Sequence, residues 1–79
     1  MFSFPIAALS KNNLIDIFET LSHFPQIMMM LKAGDYTVDA HSLMGVFSLD
    51  INKPIELILD KEPGDDFRNA ISRFSAVPA

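Results

Sequence analysis

The 79-residue sequence contains no cysteine, which excludes a disulfide scaffold, a thiolate metal site and a cysteine nucleophile. Its six lysines and arginines are outnumbered by ten acidic residues and form no cluster, so we expect no nucleic-acid partner. The apolar start, MFSFPIAAL, contains Pro5, follows no basic region and is too short to span a bilayer. We therefore expect a cytoplasmic protein without membrane association.

Patterns that carry catalysis or hold cofactors are also missing. The sequence has no glycine-rich phosphate loop, no Ser/His/Asp arrangement with supporting elements, and no carboxylate pair that can be assigned to a common cleft. Four acidic residues fit a solvated turn that leads into a helix and lack the alternating ligands of a calcium loop: Asp60, Glu62, Asp65 and Asp66. We predict that the protein is not an enzyme and has no cofactor or metal.

The composition is that of a globular domain, with 49% hydrophobic and 20% charged residues. A chain of this length predicts one domain, residues 1–79, with a core two layers thick. Phe2, Phe4 and Ile6 alternate with Ser3 and Pro5, which predicts a strand over roughly residues 1–8. Proline has no amide hydrogen, so this strand should lie at a sheet edge.

The next element is predicted to be helical because its apolar residues fall on one stripe, namely Leu14, Ile15, Ile17, Phe18 and Leu21. This helix should end before Pro25. Asn12 or Asn13 can cap its first turn, as can Ser10 one turn earlier, and Asp16 then favours the positive end of the helix dipole.

A hairpin follows in the prediction. Residues Ile27 to Leu31 form a run too short for a globular helix, although their three methionines favour helix. The turn residues Gly34 and Asp35 and the strand formers after them favour a strand, a tight turn and a second strand over residues 36–40.

Ser42 precedes an apolar run that ends near Asp50, which predicts a short second helix with Ser42 as its N-cap. The segment IELIL after Pro54 predicts a strand, and DFRNAISRF a third helix with Phe67, Ala70, Ile71 and Phe74 on one face. The tail SAVPA is expected to fray.

The order β-α-β-β-α-β-α predicts an α+β open-faced sandwich, a four-stranded antiparallel sheet with three helices on one face.

The segment HSLMGVFSLDI resembles the second-helix signature of the HPr phosphocarrier family, whose usual wording is close to KSIMGVMSL. The residues that carry the resemblance are Ser42, Met44, Gly45, Val46, Ser48 and Leu49. The resemblance covers the chain from about Gly34 to Phe74, and the first third agrees only in element order. It implies the same sandwich fold.

HPr proteins carry the phosphoryl group on a histidine just before the first helix, in a GxHxRP setting. The equivalent stretch here reads ALSKNN, and the carrier position falls on Ser10 or Lys11. A serine phosphate is a stable ester, whereas phosphohistidine is labile enough to pass its phosphoryl group onward. The resemblance therefore implies a degenerate member of the family that has lost reversible phosphoryl transfer.

The resemblance also implies a regulatory phosphorylation site at Ser42 and a docking surface formed by Leu43, Met44 and Phe47, with Val46 and Leu49 facing the sheet. The implied partners are a kinase, an enzyme of the sugar phosphotransferase system or a transcriptional regulator. Ser42 as a simple N-cap is an open alternative. So is burial of the three apolar residues in the core or in a dimer contact.

Two other functions stay open from the sequence. One is a phosphoryl carrier that uses an unusual acceptor, Ser10 or His41, and the other is a purely structural homodimer. His23, at the end of the first helix, and His41, just before Ser42, are expected to be an ordinary helix-terminal histidine and an ordinary solvated one. The expected oligomeric state is a monomer or a weak homodimer.

Overall fold

A computed structural model describes residues 2–75. Within them, four strands form an antiparallel sheet in the order β1-β4-β2-β3, and three helices cover one of its faces. The predicted α+β open-faced sandwich is confirmed. The elements are β1 (Phe2–Ile6), α1 (Lys11–Leu21), β2 (Met29–Ala33), β3 (Tyr36–Asp39), α2 (Leu43–Phe47), β4 (Ile55–Leu59) and α3 (Asp65–Ile71), followed by one 3-10 turn (Ser72–Phe74).

The core lies between the helices and one face of the two central strands, β2 and β4. Leu31 and Leu57 are register partners at the middle of these strands, and both are fully buried. The helices contribute Leu14, Ile17 and Leu21 from α1 and Phe67 from α3, each at most 2% exposed. Burial of such side chains contributes about 1.5–3 kcal/mol each, so core packing stabilises the fold in the absence of any disulfide.

Strand β1 is an edge strand, as Pro5 predicts, because an edge strand has amides that need no ladder partner. It ends at Ile6, earlier than the predicted residue 8. The next residue leaves the ladder with β4, since the Ala7 amide donates to the Phe74 carbonyl at 2.7 Å. Ser75 forms an isolated bridge with Ile6. The rest of the tail predicted to fray, residues 76–79, lies outside the described residues.

Helix α1 begins earlier than the favoured prediction. Ser10, with φ −157° and ψ 168°, occupies the N-cap position, so the assignment of Asn12 or Asn13 as N-cap is wrong. The alternative, Ser10, is correct in position only, because its side chain makes no capping hydrogen bond. Asn13 instead acts from inside the first turn, where its Oδ1 accepts a hydrogen bond from the Leu9 amide at 2.8 Å. Asp16 lies beyond the first turn, too far along the helix to support its positive end.

The hairpin is confirmed, but β2 starts and ends two residues later than the predicted Ile27–Leu31. The cause is the turn, in which Gly34 has φ 63°, a conformation that glycine adopts without steric cost. Ala33 and Tyr36 pair directly across this two-residue turn, so the ladder runs up to it. Strand β3 ends at Asp39, one residue before the predicted end.

The later elements follow the prediction with shorter helices. The strand predicted from IELIL is β4. Helix α2 ends at Phe47 rather than near Asp50 because the chain tightens there: the Leu49 amide donates to the Val46 carbonyl at 3.2 Å. Helix α3 gives way to the 3-10 turn after Ile71. Of its four predicted core residues three are buried, and Ala70 is half-buried.

Candidate functional site

Helix α2 is a short surface helix that two side chains anchor in the core. Val46 within it and Leu49 just after it are both fully buried. Gly45 lets the helix approach β3 closely, because a Cβ atom there would lie 3.2 Å from the Val38 Cβ and 3.4 Å from the Ser42 Oγ. The backbone of α2 is therefore fixed against the sheet.

The outer side of α2 carries three large apolar side chains, Leu43, Met44 and Phe47, which we call the α2 patch. They are 47%, 83% and 44% exposed, respectively. These exposures exclude burial in the chain's own core, one of the alternatives that the sequence left open. The remaining explanations are a partner or a second copy of the chain. The binding role of the patch stays a prediction.

Ser42 stands at the start of the same helix. Its Oγ accepts a hydrogen bond from the Gly45 amide at 3.3 Å, so the predicted N-cap is confirmed. Ser42 is also exposed. The hydroxyl can therefore cap the helix and still be reached from solvent, and the two interpretations of Ser42 are compatible. Its phosphorylation stays a prediction.

The carrier position of the HPr resemblance lies at the opposite end of α2. Lys11 Nζ donates to the Phe47 carbonyl at 2.8 Å and to the Leu49 carbonyl at 2.7 Å. The same ammonium lies 5.4 Å from the centre of the Phe47 ring. A cation at a helix C-terminus satisfies carbonyls that the helix leaves unpaired. Lys11 thus ties the start of α1 to the end of α2, beside the patch.

Ser10, the other residue at the carrier position, makes no capping hydrogen bond through its side chain within the described chain. Its hydroxyl is exposed, as is the neighbouring Leu9 side chain, at 90%. Neither histidine lies at the helix ends that Ser10 and Lys11 occupy or contact. His23 follows the C-terminal end of α1, and His41 precedes the N-terminal end of α2, whereas Lys11 contacts its C-terminal end.

Tyr36, at the start of β3, also contacts the C-terminal end of α2. Its hydroxyl lies 3.1 Å from the Ser48 Oγ, which donates to the Gly45 carbonyl at 2.6 Å. Tyr36 is 52% exposed. The surface around the C-terminal end of α2 therefore includes both Tyr36 and Lys11.

The contacts of Lys11 and Tyr36 and the exposure of Leu9 were not predicted from the sequence. The contact of Lys11 joins residues 36 and 38 positions apart, which no local pattern reveals. The position of Tyr36 did have a signal in the sequence. Tyr36 directly follows the hairpin turn, so it starts β3, and α2 follows β3 in the chain.

The acidic segment after β4 has a local structural role. Asp65 and Asp66 lie in the first turn of α3, where their negative charge stabilises the helix by interacting with the positive end of its dipole. Glu62 Oε2 lies 3.7 Å from Arg68 Nη2, and both side chains are exposed. Over residues 2–75, histidine and acidic side chains form no group of three or more that could hold a metal ion. In the same part of the chain, no helix has the length and apolar character needed to cross a bilayer.

Comparison with models of known protein families finds no match to the chain, and a search of curated proteins finds none either.

Proposed function

We propose that this chain is an HPr-like regulatory module that binds a protein partner through the α2 patch and does not relay phosphoryl groups. The observation that carries the proposal is the exposure of Leu43, Met44 and Phe47 on a rigid helix that starts at an exposed serine. Its partners by resemblance are a kinase, an enzyme of the phosphotransferase system or a transcriptional regulator. As proposed, the protein acts in the cytoplasm, where HPr proteins act. It is a binding protein rather than an enzyme.

The patch is suited to docking because it is ordered before binding. Val46 and Leu49 fix the helix from below, and Lys11 holds its last carbonyls. A fixed backbone lowers the conformational entropy that association would otherwise cost. Complete burial of Met44, which is 83% exposed, contributes about 1.5–3 kcal/mol against a partner, and Phe47 contributes less because more than half of it is already buried.

Phosphorylation at Ser42 would act as a switch on this surface. The serine hydroxyl gives its proton to a base of the kinase, its oxygen forms a bond to the γ-phosphorus of ATP, and the bond from that phosphorus to the bridging oxygen breaks to release ADP. The new group carries about −1.5 to −2 charges directly beside Leu43. It weakens binding to a partner with an apolar or acidic surface and favours one that presents arginines.

The residues at the carrier position argue against relay. Ser10 could only form a stable phosphate ester, and the Lys11 ammonium is engaged by two carbonyls at 2.7 and 2.8 Å. A carrier needs a group whose phosphoryl bond breaks readily in the next transfer. An unusual acceptor, Ser10 or His41, therefore remains the competing function to be tested.

The proposal is tested by incubation with an HPr kinase and ATP. We expect the native chain to take up one acid-stable phosphate and Ser42→Ala to take up none. Because the kinase must dock on the helix it modifies, Met44→Ala combined with Phe47→Ala should lower the labelling efficiency at least tenfold, the effect of losing roughly 1.4 kcal/mol or more of contact.

The matched control is Met28→Ala, which removes a methionine of similar exposure, 72%, from another surface. It should be labelled like the native chain. Equal failure of the native chain and Ser42→Ala to take up phosphate would leave Ser42 as a cap and contradict the switch. Sedimentation of the unmodified chain completes the test, since a stable dimer that buries the patch would favour the structural alternative.

A further inference from the structure

A second feature lies on the open face of the sheet, away from the helices. A cavity of about 250 Å³ occurs where β2 begins and where β3 and β4 end. Its lining includes Met28, Met30, His41, Asp39, Asp60 and Ile58. We call Met28, Met30 and His41 the methionine pocket.

The strand register places the two thioethers on the same face. Met30 pairs with Ile58, and just before β2 the Asp60 amide donates to the Met28 carbonyl at 3.4 Å, so the chain at Met28 still lies beside the end of β4. Side chains alternate along a strand, and Met29 is 3% exposed on the core side. Met28 and Met30, at 72% and 40% exposure, therefore project together from the open face.

His41 adjoins this pair from the β3 side. The Ala40 amide donates to the Met29 carbonyl at 3.1 Å, which carries the β2–β3 ladder one step beyond Asp39. His41 Nε2 lies 3.0 Å from the Ile27 carbonyl oxygen. A carbonyl only accepts, so Nε2 holds the proton and, in the neutral ring, Nδ1 has the free lone pair. Nδ1 has no hydrogen-bond partner among residues 2–75.

We propose that the methionine pocket binds a soft monovalent cation, Cu(I), through the thioether sulfurs of Met28 and Met30 and the Nδ1 atom of His41. Thioethers favour Cu(I) over harder cations, and imidazole is a compatible third ligand. A metal-bound histidine usually donates its other ring N–H to a carbonyl or carboxylate, and here the Ile27 carbonyl already occupies that place.

The acidic residues of the pocket lining support a cation without competing as its ligands. The Asp39 Oδ1 accepts a hydrogen bond from the His41 amide at 2.9 Å, which also fixes the backbone of the histidine. Asp60 is exposed beside Met28 and adds negative charge at the rim. This charge favours a cation, and the sulfur atoms select a soft one.

The test is an anaerobic titration of the whole chain with Cu(I) against a chromophoric chelator. We expect the native chain to retain one equivalent. Met28→Leu, Met30→Leu and His41→Gln should each lower the affinity roughly tenfold or more, since even outer-shell partners of a metal contribute 10–100-fold. The double variant Met28→Leu with Met30→Leu should no longer compete with the chelator.

The matched control is Met44→Leu, which removes an exposed thioether from α2 and should leave Cu(I) affinity unchanged. Leucine preserves side-chain volume, and both pocket methionines are partly exposed, so the variants should keep the native circular dichroism and melting temperature. As a second readout, Ag(I) should shift the methyl NMR signals of Met28 and Met30 and leave that of Met44 in place. Absence of competition by the native chain, or an equal loss in Met44→Leu, would overturn the proposal.

Discussion

Replacing Lys11 with methionine should destabilise the fold far more than an exposed lysine usually does. The change removes an ammonium that donates to the Leu49 carbonyl at 2.7 Å, in a partly buried contact, and to the Phe47 carbonyl at 2.8 Å, in an exposed one. A hydrogen bond with a charged partner contributes about 1.5–3 kcal/mol when partly buried, and the exposed bond and the ring contact contribute less because water screens them. The freed side chain regains some entropy. We expect a net loss of about 2 kcal/mol.

Urea unfolding measures this loss directly, and thermal melting should show a decrease in Tm of about 8–16 °C for a domain of this size. The control is Lys61→Met, since Lys61 makes no hydrogen bond or ion pair with any described residue. Hydrogen exchange supplies a local readout, because the amides of Val46, inside α2, and of Ser48, its C-cap, should exchange faster in the Lys11 variant. If the two lysine variants unfold within about 0.5 kcal/mol of each other, the proposed tie between α1 and α2 is refuted.

Three further substitutions test the fold and the cap by urea unfolding. Gly34→Ala should cost about 1–2 kcal/mol, because φ is 63° and a Cβ would lie 2.9 Å from the Lys53 Cδ. Gly64→Ala changes the N-cap of α3, where φ is −80° and no described atom lies within 4 Å of the added Cβ, so it should cost clearly less. Equal effects would contradict the role of φ. Leu57→Ala should cost about 2–5 kcal/mol, since this side chain is fully buried at the centre of the sheet, and a loss below 1 kcal/mol would contradict its place in the core. Ser42→Ala should lower the free energy of unfolding by only about 0.5–1 kcal/mol, because the cap hydrogen bond is long, at 3.3 Å. Ser42→Asp should keep most of that stability, and a loss as large as that of Ser42→Ala would argue against the cap.

The fold could be predicted from local patterns because each element carries its own signal. The alternation in IELIL predicts β4 with its bounds, and Pro5 predicts that β1 is an edge strand. Boundaries were less predictable where tertiary contacts decide them. The start of α1 at Lys11 and the two-residue shift of β2 both depend on which amides find partners, and the composition of the segments does not reveal this.

The candidate site was predictable only in part. The exposed positions of α2 follow from helical periodicity once Val46 and Leu49 are placed in the core. The contact of Lys11 with the end of α2 could not be predicted, because it joins residues distant in sequence through a long, flexible side chain. The methionine pocket depends on the exact register of β2, and the predicted strand was shifted by two residues.

The most direct test of the account is incubation of the native chain with phosphoenolpyruvate and enzyme I of the phosphotransferase system, followed by measurement of the intact mass. An authentic HPr protein in the same reaction serves as the positive control. We predict that the control gains one phosphoryl group and that this chain gains none, because the proposed resemblance assigns the carrier position to Ser10 or Lys11 and neither is a histidine. A gain of one acid-labile phosphoryl group, on His41 or any other residue, would contradict the account and make the protein a carrier.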